Sequence, residues 1–232
     1  MREIVLDTET TGMEPSEGDR LIEVGCIEIV NYVPTGKTWH KYLNPEREVP
    51  AEAVAVHGLT WERLKKEPIF SQVYTEMLEF IGDSTLVIHN AAFDMKFINA
   101  ELKSVGHKPI PDSRVSDTLL LARKKYPGSP ASLDALCRRF NIDLTDRTLH
   151  GALLDAELLA EVYLQMMGGR QHGLGLAADT GTTTPGLVAP VSAKATREKT
   201  LRPARPHAAS EDELAAHKAL LDKLTDPLWK EA

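Results

Sequence analysis

The segment Ile4-Val5-Leu6-Asp7-Thr8-Glu9-Thr10-Thr11-Gly12 constrains the fold of this chain more than any other. Its apolar start predicts a buried strand over 3–6. Thr-Thr-Gly predicts the loop that ends it. Two carboxylates, Asp7 and Glu9, then stand at the end of an apolar strand. Like charges held close together repel, and burying them is costly. A chain that builds a sheet around this strand must bring something positive to the same edge.

The rest of the sheet follows from hydrophobic runs and turn signals. LIEVGCIEIV predicts a second strand over 21–30, and TWHKYL a third over 38–43, bounded by Pro34-Thr35-Gly36 and Asn44-Pro45. Strand, turn, strand, turn, strand predicts an antiparallel meander. Helices are expected over 51–56, 61–66 and 71–81. TLVI at 85–88 is a fourth strand, and 91–105 is a helix ended by Gly106. A short fifth strand at 114–116 precedes helices over 118–126, 133–140 and 149–167; Ser132 caps the second of these, and Gly168-Gly169 stops the third. Strands first, then strands alternating with helices, predict an α/β fold on a sheet that is part antiparallel and part parallel.

The chain has 232 residues, enough for one ordinary domain and an extension, or for two small domains. Beyond Gly169 its character changes. Residues 177–210 are rich in Ala, Thr, Pro and Gly with almost no aromatics, which predicts a flexible linker. Its basic residues, Lys194, Arg197, Lys199, Arg202 and Arg205, read either as solvated linker charges or as contacts to DNA. EDELAAHKALLDKL at 211–224 predicts an amphipathic helix, with Trp229 beyond Pro227. Its apolar face calls for a partner protein.

Charge and cysteine usage narrow the function. Residues 1–168 hold 18 Lys and Arg against 26 Asp and Glu, so this part cannot grip nucleic acid by electrostatics alone. No apolar run approaches the ~18 residues of a membrane span, and Met1-Arg2-Glu3 leads into a strand rather than a signal peptide. Cys26 and Cys137 fall in an apolar strand and a helix, as buried thiols of a reducing, cytoplasmic compartment.

Two further segments carry chemistry. HNAAFD places Asp94 just past the TLVI strand near a helix N-terminus. HGALLDA places Asp155 among Leu153, Leu154 and Ala156, on a helix whose apolar side faces the core. Taken singly, each acid has an ordinary reading as a cap, a turn residue or half of an ion pair. Together, Asp7, Glu9, Asp94 and Asp155 converge at one sheet edge, where an all-oxygen donor set suits Mg²⁺ or Mn²⁺. Two such ions can clamp the attacking and leaving oxygens of a phosphoryl centre. On one regular helix His150 would sit about 140° from Asp155. It reaches the same site only by bending back from a frayed helix start, where it suits the role of general base. His89 is read as structural, and His40 and His107 as surface residues.

DTETTG, HNAAFD and HGALLDA together resemble the three motifs of the DEDDh 3′→5′ exonucleases, and the resemblance is strongest to the proofreading epsilon subunits of bacterial DNA polymerase III. VHGLT, VSDTLLLARKKYPG and SLDALCRRF are similar to the same family in order and spacing, over about residues 3–169. The resemblance implies an RNase H-like fold with a central five-stranded mixed sheet flanked by helices and a flexible C-terminal tail. It implies two Mg²⁺ or Mn²⁺ ions held by Asp7, Glu9, Asp94 and Asp155, with His150 as general base, and release of nucleoside 5′-monophosphates. It also implies that Asp7, Glu9, Thr10, Glu52, Val56, His57, Asn90, Phe93 and Asp155 contact the terminal nucleotide, and that Asp117 supports the site without binding metal. In this reading 1–169 is the exonuclease domain, and 170–176 is a clamp-binding motif through Gln171, Leu174 and Leu176. Residues 177–210 are the linker, and 211–232 bind the polymerase catalytic (alpha) subunit. Chance or plain linker sequence is the alternative for so short a motif as 171–176, and its position just after the exonuclease domain favours the functional reading. Two other functions share part of the pattern: a free-standing exonuclease that trims RNA or DNA 3′ ends, and a scaffold without catalysis. The complete acid set and His150 count against the scaffold.

Overall fold

The computed structural model describes residues 1–145, 147, 149–168 and 209–223. Among them, β1 (Arg2–Thr10), β2 (Leu21–Val30), β3 (Val33–Tyr42), β4 (Thr85–Ile88) and β5 (Val115–Asp117) form one sheet in the order β3-β2-β1-β4-β5. The first three strands pair antiparallel, and β4 and β5 join β1 in parallel. The helices are α1 (Ala51–His57), α2 (Trp61–Leu64), α3 (Phe70–Ile81), α4 (Ala91–Ser104), α5 (Thr118–Lys125), α6 (Leu133–Phe140), α7 (Ala152–Met166) and α8 (Glu211–Leu221).

β1 is central and covered on both faces, which explains its unbroken apolar start. Ile4 and Leu6 point into a core with Met77 and Ile81 of α3 and Phe97 and Leu102 of α4. Val5 points the other way, onto Ala156, Leu159 and Tyr163 of α7. The α7 side carries a polar lock as well: the Tyr163 hydroxyl donates to Glu3 Oε1 at 2.7 Å. Cys26 and Cys137 are buried and free. No helix among the described residues is long and apolar enough to cross a membrane.

Four local expectations are corrected. β1 does not stop before Asp7 but runs on to Thr10, because its pairing with β2 continues through Asp7↔Gly25 and Glu9↔Glu23. The turn before β3 is not at Pro34-Thr35-Gly36: β3 starts at Val33 after the two-residue turn Asn31-Tyr32, both at positive φ. That conformation matches the twist of a tight hairpin, and Pro34 is tolerated because β3 is an edge strand. α7 starts at Ala152 rather than 149. His40 is not a plain surface residue: its Nε2 lies 2.7 Å from the buried Glu23 carboxylate.

α8 belongs to a second unit of the chain and is described by itself. Ser210 caps it, accepting from the Glu213 N–H while the Glu213 carboxylate accepts from the Ser210 N–H. Gln171, Leu174, Leu176, Trp229 and nearly all of the expected linker lie outside the described residues.

Candidate active site

The strand period of two puts Asp7 and Glu9 on the same face of β1, the face that α7 covers. Opposite Asp7 stands Gly25. A Cβ there would lie 2.5 Å from the Ala152 carbonyl carbon and from the Leu153 nitrogen. The first turn of α7 therefore rests directly on the strand backbone, and that turn carries Asp155, only 3% exposed. A glycine inside an apolar strand signals such a close approach.

Asp94 arrives from the other side, in the first turn of α4, and is also 3% exposed. It accepts a hydrogen bond from the Thr8 hydroxyl at 2.7 Å. Asn90 adopts a left-handed conformation just before α4. Asp117 holds that turn in place: its carboxylate accepts from the N–H groups of Asn90 and Ala91 at 3.2 Å and of Leu119 at 2.8 Å. One acid thus caps both α4 and α5, the supporting position expected for it. His89 is tied to the same corner through Thr118, 2.9 Å from its Nδ1.

The electrostatics show how strained this convergence is. Burial, then Asp94, Asp155 and Glu9, push the Asp7 carboxyl well above the usual range. Burial first, and then the charges of Asp155, Glu23 and Asp94, raise Glu9 to about 8. Burial raises Asp94 to about 7 although the Thr8 hydrogen bond opposes it. Such a set calls for a hard cation.

His150 precedes α7 rather than lying on it. Its N–H donates to the Val56 carbonyl at 3.1 Å, which turns the chain back over the site, and its Nδ1 lies 3.0 Å from Asp155 Oδ2. The late start of α7 removes the 140° offset that a continuous helix would impose. Glu9, His150 and Asp155 each offer a ligand atom, all within 4.8 Å of one another.

Arg147 escaped the sequence reading. Its side chain is 9% exposed. Nε and Nη2 donate to Asp155 Oδ1 and Oδ2 at 2.5 and 2.7 Å, Nη1 donates to Asp134, and Nη2 lies 3.0 Å from His150 Nδ1. It sits in an irregular loop where no periodicity marks a side chain as inward. The signal available was the charge balance: four acids need a cation, and Arg147 stands three residues before His150.

Two cavities meet at Glu9. One of about 470 Å³ is lined by Thr10, Glu52, Val56, His57 and Phe93. His57 is only 6% exposed. Its Nδ1 accepts from the Leu59 N–H at 3.0 Å, so Nε2 carries the proton, and that nitrogen makes no hydrogen bond of normal geometry. Burial holds its pKa down, which keeps it neutral. The other cavity, about 660 Å³, is lined by Asp7, Asn90, Arg123, Arg147, His150 and Asp155. Of the residues expected around a nucleotide, Glu9, Thr10, Glu52, Val56, His57 and Phe93 line the first cavity, whereas Asn90 lines the second with Asp7 and Asp155.

Residues 4–163 match the exonuclease (RNase_T) family. The chain is 45% identical over 227 residues to the DNA polymerase III subunit epsilon of Rickettsia typhi, covering 97% of each chain. It is likewise 45% identical to that of Escherichia coli K12, over 95% of this chain and 92% of the other. The chain belongs to the epsilon-subunit exonuclease family. It is a 3′→5′ exonuclease, and membership of the family implies divalent metal ions.

Solved structures extend the likeness of fold. Exonuclease X in complex with 5′ overhanging duplex DNA superposes with a TM-score of 0.57 at 22% identity, over 71% of this epsilon-family chain and 90% of that one. A 3′-exonuclease whose structure describes recognition of a histone mRNA stem-loop gives 0.62 at 17% identity, over 72% and 63% of the two chains. The sheet and its helices are thus RNase H-like, as expected.

Proposed function

We propose that this chain proofreads DNA synthesis, removing mispaired nucleotides from a primer 3′ end by phosphodiester hydrolysis with release of nucleoside 5′-monophosphates. The observation that carries this reading is the convergence of Asp7, Glu9, Asp94, Asp155 and His150 beside a mainly apolar cavity of nucleotide size. Asp7, Glu9, Asp94 and Asp155 would hold two ions, Mg²⁺ or Mn²⁺. When bound, such ions acidify a water molecule and neutralise charge developing on phosphoryl oxygens. The raised carboxyl pKa values fit that donor set, because burial first, and then the charge of neighbouring acids, raise them, and a bound cation offsets both.

His150 takes the proton of the attacking water at Nε2. That requires its other nitrogen to carry hydrogen, and Asp155 Oδ2 at 3.0 Å from Nδ1 is the acceptor that fixes it. Thr10, Glu52, Val56, His57 and Phe93 receive the terminal nucleotide, with the Nε2–H of neutral His57 available as a donor. Asn90 faces the strand on the other side of the scissile bond.

An unpaired 3′ end costs less to splay into this cavity than a paired one, which favours mismatches. The acidic domain gains its hold on DNA by tethering. Residues 211–232 bind the polymerase catalytic (alpha) subunit, and Gln171, Leu174 and Leu176 meet the sliding (beta) clamp, in a cytoplasmic replisome.

The test compares the full chain, a truncation after Gly168 and Asp7→Ala on paired and mispaired primers, with co-elution on the catalytic subunit. The full chain should co-elute and the truncation should not, while both cleave and Asp7→Ala does not. Cleavage by Asp7→Ala would sink the assignment of the metal site. Failure of the full chain to co-elute would favour a free-standing trimming enzyme.

A further inference from the structure

Asp155 is claimed twice. As a ligand it must turn a carboxylate oxygen toward a cation, yet both of its oxygens already accept hydrogen bonds from Arg147, at 2.5 and 2.7 Å. The guanidinium fork is a strong, geometrically specific partner for a carboxylate. The Arg147 side chain is only 9% exposed, and its guanidinium places a positive charge against the acid that shares a ligand cluster with Glu9 and His150. It therefore does part of what a metal ion would do in the same place.

The same side chain reaches His150. A guanidinium has donors and no acceptor. When Nη2 donates to His150 Nδ1 across 3.0 Å, the imidazole proton is forced onto Nε2, the nitrogen that must accept a proton in hydrolysis. When Arg147 leaves, Nδ1–H is free to donate to Asp155 Oδ2, also 3.0 Å away. One side chain thus bears on both metal ligation and the tautomer of the base.

Arg147 also has a place to go. Its Nη1 is already paired with the partly exposed Asp134, and both line the 660 Å³ cavity together with Arg123. Rotation about that pairing would free Asp155 and leave two guanidinium groups in the wall along which a phosphodiester backbone would run.

We infer that Arg147 is a resident counter-ion that competes with the divalent cation for Asp155 and cedes it when the site loads, moving toward Asp134 and the substrate phosphates. This rests on the metal-site reading given above.

The test uses the full chain, stripped of metal with chelator and then titrated with Mn²⁺ by calorimetry. Hydrogen bonds to charged groups contribute enough that their removal from the competition shifts a binding constant roughly 10–100-fold. Arg147→Gln should accordingly bind Mn²⁺ at least about tenfold more tightly than the wild type. In chelator its melting temperature should be lower, and Mn²⁺ should raise it by more. Arg147→Lys, which keeps the charge without the fork, should fall between. ¹⁵N shifts of the His150 ring should show Nε2–H in the wild type in chelator and a swing toward Nδ1–H in Arg147→Gln. Equal or weaker Mn²⁺ binding by a folded Arg147→Gln would overturn the inference and make the arginine a positioning residue for the ligands. Asp7→Asn separates the two failures. If it binds Mn²⁺ as the wild type does, the metal-site reading itself is wrong. If it loses binding while Arg147→Gln is unchanged, only the competition is wrong.

Discussion

Replacing Gly25 by alanine adds one methyl group at a position that contributes no side chain to the site, and the structure assigns it a large effect. Gly25 lies in extended backbone, so alanine brings no conformational strain of its own. Its Cβ would stand 2.5 Å from the carbonyl carbon and oxygen of Ala152 and from the nitrogen of Leu153. Carbon atoms rest at about 3.5–4.0 Å, so α7 has to retreat by roughly 1 Å. These are backbone atoms, and no side chain can rotate out of the way. Overpacking of this kind costs about 1–3 kcal/mol, which in a domain of this size lowers the melting temperature by roughly 2–12 °C. The same retreat carries Asp155 away from Asp7 and draws on His150. A 1 Å misplacement of reacting groups costs on the order of 100-fold in rate. Differential scanning fluorimetry in chelator and single-turnover release of the 3′ nucleotide at saturating Mg²⁺ measure the two effects. Gly151→Ala is the contrast: it is next to His150 in sequence, but its Cβ would meet nothing within 4 Å, so it should cost far less in rate. A Gly25→Ala enzyme with wild-type rate and melting temperature would refute the claim that α7 is seated on the strand backbone.

Other expectations follow from the same geometry. Glu9 at about 8 and Asp94 at about 7 are raised in the folded chain. Their contribution to stability is present below the ordinary carboxyl range and is lost as pH rises through 7 to 8. In chelator the melting temperature should therefore fall from pH 6 to pH 9, and Mg²⁺ should flatten that slope; an unchanged slope with Mg²⁺ would show that the ion does not meet these acids. His150→Ala should lower turnover by about 10²–10⁴-fold while leaving Mn²⁺ affinity nearly intact, and a matching loss of affinity in calorimetry would make His150 a ligand rather than the base. Asp117→Ala leaves the N–H groups of Asn90, Ala91 and Leu119 without their acceptor. It should cost about 2–4 kcal/mol in urea unfolding and slow hydrolysis through the loosened start of α4.

Much of this arrangement was legible in the chain, because it rests on neighbours in sequence. The β1 strand, the helix cap at Ser132 and the inward place of Asp155 on α7 follow from apolar runs, capping residues and periodicity. The three motifs drew Asp7, Glu9, Asp94, His150 and Asp155 into one set, and the structure brings these residues together. The misreadings came where pairing or packing at a distance decides. Pro34-Thr35-Gly36 reads as a turn, yet β2 draws it into an edge strand. His40 reads as surface, yet it meets Glu23 from the neighbouring strand.

By itself, then, the sequence determined the local elements and the chemical type of the site: strands and helices set by periodicity, and oxygen donors with one imidazole suited to a hard cation. Only the tertiary structure decided how those donors are shared. Gly25 lets α7 close onto the sheet, Asp117 joins the starts of α4 and α5, and the Val56 carbonyl turns His150 back toward Asp155. Arg147 meets the acids through a loop that carries no periodic signal. The physical reason is one of range. Propensity and capping act over a turn or two of chain, whereas the charge balance of a buried site depends on side chains that folding alone brings within a few ångströms of one another.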